Sequence, residues 1–143
     1  MDLIFNIIIV YFVSFLELWA GIPLGLALNL NPFFIVIFAA LGSISSALIV
    51  SFLGENIKKR FIKLRYKDKD LKKGTFYKIW NKYGIIGLGL LSPLLFGAPL
   101  GAALGIILGA DRKTLIVWMS IGIILWSILL TSAGYLGLMT FQL

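Results

Sequence analysis

The sequence predicts an all-α integral membrane protein. It is read as two inverted repeats, each a re-entrant broken helical hairpin followed by one transmembrane helix, joined by a basic amphipathic linker. Three observations lead there: a composition too apolar for a soluble core, positive charge confined to one segment, and an internal repeat. The 143 residues are 60% hydrophobic and 13% charged, with a mean hydropathy of +1.02. A soluble domain is about 45–50% apolar and about 25% charged, so a single small core could not bury these side chains. There is no cysteine and no histidine, which excludes a disulfide scaffold, a thiolate zinc site, a cysteine nucleophile and most zinc and triad chemistry.

Four apolar stretches follow one another, at about residues 3–30, 33–54, 84–110 and 114–139, each long enough to cross a bilayer, which takes about 20 helical residues. The first, from Leu3 onward, has the apolarity of a signal peptide but lacks its positive n-region and small-residue cleavage site. It opens on Asp2 and runs on through Ala20, Gly21, Ile22 and Pro23, so it is expected to belong to the mature protein. The second and fourth stretches have the composition of ordinary spans. The first and third are interrupted, one by Gly21, Pro23 and Gly25, the other by Ser92, Pro93, Gly97, Pro99 and Gly101. Proline removes a helix donor and kinks the chain, so each is either a long kinked span or a pair of half-helices.

The repeat bears on that choice. Residues 21–28 align with residues 97–104 at six of eight positions. With a four-residue insertion in the second copy, Gly42 then falls on Gly122, Ser51 on Thr131 and Gly54 on Gly134. The chain reads as one membrane domain over residues 1–143: repeat one at 1–56, linker at 57–83, repeat two at 84–143. Charge decides between the two topologies. Of thirteen Lys and Arg residues, eleven lie between Lys58 and Lys82, and the other two are Arg112 and Lys113. Positive loops face the cytoplasm. If all four stretches spanned, Arg112 and Lys113 would be outside; if the interrupted stretches return to their starting side, both join the linker in the cytoplasm and both termini lie outside. Each unit then crosses once, so the two are inverted, an architecture of many secondary transporters.

The linker has a pattern of its own, which is expected to form two surface helices. Ile57, Phe61 and Leu64 share one helical face; Phe76, Ile79, Trp80 and Tyr83 share another, ringed by Lys72, Lys73, Lys78 and Lys82. A basic amphipathic helix with aromatic anchors lies in the membrane interface, so Lys72, Lys73, Lys78, Trp80 and Lys82 are expected to meet lipid headgroups; a solvated loop that only sets orientation is the alternative. No nucleic-acid-binding motif accompanies the charge, and nucleic acid is not an expected partner.

Glu17 is the leading functional candidate. It lies inside an apolar stretch with no basic residue nearby, and intramembrane acids face cavities or mark proton and substrate paths; a helix cap or an interfacial position is the structural alternative. Where a hairpin tip interrupts a helix, unpaired backbone groups need partners, and half-helix N-termini attract anionic groups. Pro23 and Gly25 in one break, and Ser92, Pro93, Gly97, Pro99 and Gly101 in the other, are therefore candidate substrate-binding elements. Close helix packing is the competing role for the glycines Gly97, Gly101, Gly105 and Gly109, and for Gly21, Gly25 and Asn29. Glu55 is expected to pair with Lys58 or Lys59 along its own helix. No catalytic set emerges, so no enzyme activity, cofactor or metal is expected.

Residues 17–25, Glu-Leu-Trp-Ala-Gly-Ile-Pro-Leu-Gly, followed by a span, a basic linker, Lys82-Tyr83-Gly84 and a second Gly/Pro-rich break at 93–102, resemble the small multidrug export proteins. That family resembles in turn the DedA (VTT domain) superfamily. Trp19 stands where the family usually carries arginine, and only Gly97-Ala98 and Gly101-Ala102 echo its second Pro-Gly-Thr-Gly-like run. The resemblance implies facing re-entrant hairpins and transport of an amphipathic or lipid-linked substrate, such as a polyprenyl phosphate or phospholipid, between leaflets, with protons bound at Glu17. Two other readings stand beside it: a small multidrug/proton antiporter with four plain spans, and a non-transporting membrane adaptor. A homodimer suits the size, though nothing in the sequence requires one.

Overall fold

The computed structural model describes residues 2–64 and 83–141. These form six helices: α1 (Leu3–Leu16), α2 (Leu18–Ala27), α3 (Pro32–Leu64), α4 (Ile85–Leu95), α5 (Ala98–Ile107) and α6 (Arg112–Phe141). No strand occurs among the described residues. Two segments, Pro32–Asn56 of α3 and Arg112–Thr140 of α6, are long and apolar enough to cross a membrane. The other four helices are apolar but short. With 10 residues each, α2 and α5 measure about 15 Å at 1.5 Å per residue, half of a hydrocarbon core about 30 Å thick. Because α3 runs on to Leu64, Ile57, Phe61 and Leu64 continue that helix instead of forming a separate surface helix. Lys72, Lys73, Lys78, Trp80 and Lys82 lie outside the described residues.

Small side chains let the helices approach. Ala39, Ala47, Ala98 and Ala102 are buried beside Leu18, Ile22, Ile35, Leu115 and Ile123, the composition that close packing in lipid favours. The outer face is as apolar as the core, with Phe33, Leu53, Ile107 and Leu136 exposed, a surface suited to hydrocarbon and not to water.

Both interrupted stretches double back. A β-carbon at Gly21 would collide with the Ser14 hydroxyl and come within 3.0 Å of the Ser14 backbone nitrogen. Seven residues apart in one continuous helix, these groups would be separated by about 10 Å. Likewise Gly101 packs directly onto Ser92. So α2 folds back on α1, and α5 on α4. Each returning helix ends alike: Leu30 N–H bonds to Gly25 O (3.1 Å) and Ala110 N–H to Gly105 O (2.9 Å). Asn29 (φ 55°) and Gly109 (φ 90°) take the left-handed conformation at the turn, the Schellman ending that leads each chain into its long helix.

These pairs are 80 residues apart, and so are others. Gly25 packs on Ile35 and Gly105 on Leu115; Gly54 packs on Ile106 and Gly134 on Leu26. The long-helix part of the repeat, Gly42 on Gly122 and Gly54 on Gly134, therefore agrees with the sequence alignment. The break does not: Gly21 matches Gly101, not Gly97, and no four-residue insertion follows it. Ser14 and Ser92 are 78 apart, so the extra length in the second copy comes before the turn.

The ends of the bundle can be placed from the contacts. Arg112, at the start of α6, bonds to Glu55 of α3 at 2.7 Å. The second hairpin therefore delivers the chain to α6 at the Glu55 end of α3. The first hairpin feeds into α3 at Asn31, about 35 Å away along the helix. Arg112 takes Glu55 from the expected Lys58 and Lys59 pairing, because the tertiary fold brings a guanidinium within bonding distance of the carboxylate.

The long helices begin with matching caps. Phe33 N–H donates to Asn31 Oδ1 (3.0 Å), and Thr114 N–H and Oγ1 donate to Asp111 Oδ2 (3.1 and 2.9 Å). The Thr114 backbone bond, then its hydroxyl, hold the Asp111 carboxyl below its ordinary range. A lowered folded-state value means stability that is present above the unfolded value of about 3.9 and is lost as pH falls through the folded one. Asp111→Ala is expected to cost about 1 kcal/mol in detergent unfolding at pH 7, with the difference from the parent shrinking below pH 4. An equal difference at both pH values would contradict the ionised cap.

Candidate functional site

At Glu17 the chain leaves one helix and enters the next. Its N–H bonds to Val13 O (2.9 Å) and closes α1, while its carbonyl accepts the Gly21 N–H (3.2 Å) that opens α2. The residue itself is extended, with φ −148° and ψ 115°. The second tip repeats the arrangement: Phe96 N–H bonds to Ser92 O (2.9 Å), and Gly97 O accepts the Gly101 N–H (3.1 Å). Gly97 has φ 80° and ψ 162°, a region essentially reserved for glycine.

The two tips meet. A β-carbon at Gly97 would stand 3.5 Å from Glu17 Cγ and from Leu16 O, and 3.8 Å from Glu17 Oε1. The Glu17 side chain therefore lies against the residue that opens α5, while Glu17 itself opens α2. The N-termini of α2 and α5 thus meet at Glu17. The helical ladder cannot supply acceptors for the first N–H groups of each helix, here those of Leu18, Trp19 and Ala20 in α2 and of Ala98 and Leu100 in α5, Pro99 having none. Helix N-termini stabilise negative charge, so the arrangement offsets part of the cost of a carboxylate among apolar side chains. Glu17 makes no side-chain cap bond to its own helix, and among the described residues no side chain pairs with it. It is half-buried.

Behind each tip a serine is fully covered. Ser14 and Ser92 are 0% and 1% exposed, and their hydroxyls have no hydrogen-bond partner. Each lies on the glycine of the returning helix, Gly21 or Gly101. Ser43 ties α3 to the first hairpin by donating to Ser14 O (2.6 Å). On α6, Trp126 Nε1 donates to Leu90 O of α4 (2.7 Å). Ser46, Ser51 and Thr131 are also buried with unpartnered hydroxyls.

Of the residues singled out from sequence, Glu17 and Gly97 come together, and Ser92 and Gly101 touch just behind them. Pro99 is in the first turn of α5 and Pro93 is buried within α4. Pro23 and Gly25 are not at the tip. The first break falls at Glu17, six residues before Pro23, and α2 runs through Pro23, which faces outward. Gly25 is near the base of the hairpin against Ile35. The reason is positional: a proline in the second turn of a short helix leaves one carbonyl, that of Trp19, without its donor, which is a smaller defect than a chain reversal. The expectation of tips at Pro23–Gly25 and Pro99–Gly101 is therefore corrected to Glu17 and Phe96–Gly97. The sequence reading missed Ser14, three residues before Glu17, and the spacing gave no signal for it, since Ser92 lies five residues before Gly97.

The family model described as "Putative small multi-drug export protein" matches residues 17–129 of the chain. The match begins at Glu17 and takes in both tips and most of both long helices. No curated protein and no solved structure gives a significant match.

Proposed function

Since the chain belongs to the small multi-drug export protein family, we propose that it is a multi-pass transporter of the cell membrane that carries an amphipathic substrate across the bilayer and exchanges protons at Glu17. One observation carries the reading: a carboxylate that pairs with no cation among the described residues, at the meeting point of two broken helices each about half a bilayer long. Intramembrane acids mark proton and substrate routes, and broken helices that meet near the midplane are where secondary transporters bind.

Within this reading the two units are inverted repeats and their hairpins are re-entrant, entering from opposite sides. Support comes from the Arg112–Glu55 bond, which brings the second hairpin back to the linker side, and from the reciprocal contacts Gly54–Ile106 and Gly134–Leu26. The linker is then cytoplasmic under the positive-inside bias, and both ends of the described chain are outside. The family description favours a drug-like amphipath. The DedA-like arrangement of facing hairpins favours a lipid-linked one, and both are amphipathic molecules presented from the membrane. The helices return on themselves at Glu17 and Gly97, which weighs against four plain spans. No enzymatic step is proposed, and no cofactor is invoked.

The absence of native cysteine makes the topology directly testable. In intact cells, Asn31→Cys and Thr140→Cys are expected to react with an impermeant thiol reagent and Lys113→Cys to be protected. Labelling of Lys113→Cys with protection of Thr140→Cys would replace the hairpins by four spans. Substrate class is read in vesicles containing the purified chain under a pH gradient, with a hydrophobic cationic dye and a fluorescent short-chain phospholipid followed in parallel. Movement of either beyond protein-free vesicles supports transport; movement of neither overturns it.

A further inference from the structure

Packing between the two units is matched at both ends of the bundle, but their ionic bonding is not. At one end Arg112 Nη1 is 2.7 Å from Glu55 Oε2, and the guanidinium lies 4.3 Å from the centre of the Phe52 ring. Glu55 and Phe52 belong to α3 and Arg112 to α6, so the cluster ties one unit to the other. The equivalent positions, 80 residues on or back, hold Tyr135, Ser132 and Pro32, none of which can make an ion pair. The apolar contacts of the same region do have counterparts: Gly54 against Ile106 is answered by Gly134 against Leu26. One end of a repeated architecture is thus fastened by an ion pair whose counterpart positions at the other end hold no charged pair.

From this asymmetry we propose that Glu55, Arg112 and Phe52 form a reversible latch that holds the linker-side end of the bundle closed, so that the resting protein opens preferentially on the opposite side. The side chains of Arg112 and Glu55 are 29% and 34% exposed, so water reaches both. A pair that wet contributes too little to hold a fold together, but two states of nearly equal energy are shifted by any bond made in only one of them. Phe52 adds a face on which the guanidinium rests, which keeps the cation at the junction when it is apart from the carboxylate. The latch builds on the transporter reading given above, yet it is tested without transport.

Two reporters in the full chain, placed in sealed vesicles of known orientation, test it. Ile106→Cys, against Gly54, reports on the latched end, and Leu26→Cys, against Gly134, on the other. An impermeant maleimide is applied from the side that reaches each. With Glu55→Gln, labelling at Ile106→Cys is expected to rise about three- to five-fold, the range an exposed ion pair can supply, with Leu26→Cys unchanged. The charge-exchanged double variant Glu55→Arg with Arg112→Glu is expected to return labelling to the starting rate. Ala110→Cys, next to the same end, repeats the measurement should Ile106→Cys fail to fold. Unchanged labelling in Glu55→Gln, an equal rise at both ends, or a double variant as reactive as the single one would each overturn the latch. None of these results bears on whether a dye or lipid crosses the membrane, so the latch and the transport reading can fail separately.

Discussion

Glu17→Gln is expected to abolish the response of substrate movement to a pH gradient and to leave a folded protein. The amide matches the carboxyl in size, so the packing of the side chain beside Gly97, where a β-carbon would stand 3.5 Å from Cγ, is retained. What is lost is the ability to release a proton and the negative charge facing the N-termini of α2 and α5. Gradient-driven movement is expected to fall to the rate of protein-free vesicles, since the amide takes no part in a proton path, while the detergent unfolding temperature stays close to that of the parent. Glu17→Asp keeps the charge but withdraws it by one methylene from Gly97, and an intermediate rate is expected. Full gradient-driven movement in Glu17→Gln would remove the proton role and leave the carboxylate as a cap between tips. The comparison depends on Gly97 being unchanged, since its φ of 80° strains any other residue.

Gly42→Leu is expected to separate α1 from α3 and to cost about 3 kcal/mol or more, the upper part of the range for overpacking. A β-carbon there would collide with the carbonyl oxygen of Tyr11 and lie 3.1 Å from the nitrogen of Phe15. These are backbone atoms of a helix, and they cannot turn aside as a side-chain tip can. Gly122→Leu does the same to α4 and α6, where the Gly89 carbonyl oxygen would be 2.5 Å away. The control lies in the same chain: Gly87 and Gly137 have nothing within 4 Å of a β-carbon. Leucine at either is expected to change stability by no more than about 0.5 kcal/mol. Thermal unfolding of the four variants in one detergent decides the matter. Similar losses in all four would mean that close approach does not govern these glycines, since helix propensity alone favours leucine over glycine.

The repeat shows how far local pattern reaches. Gly21, Gly25 and Asn29, like Gly97, Gly101, Gly105 and Gly109, recur every four residues, so an alignment can slip by one helical turn and still match. The residues compared then share composition but not partners. Tertiary contacts fix the register: Gly21 on Ser14 and Gly101 on Ser92, Gly25 on Ile35 and Gly105 on Leu115. Glu55 illustrates the second limit. Its neighbours in sequence include two lysines, yet its bond is to Arg112, 57 residues away, and no helical periodicity carries information over that distance.

Composition and periodicity determined the solvent of this protein, its helical class, the two helices long and apolar enough to cross a membrane, the interrupted stretches and the choice of Glu17 as the residue to test, because all of these follow from the cost of burying backbone and charge in hydrocarbon, which each residue meets wherever it lies. Tertiary structure decided where the chain turns, which glycines carry close contacts, and what stands beside each charge. Prolines at 23 and 93 mark weak points in their helices, but the reversals occur at Glu17 and Phe96–Gly97, where packing between hairpin arms and between tips outweighs a single missing N–H.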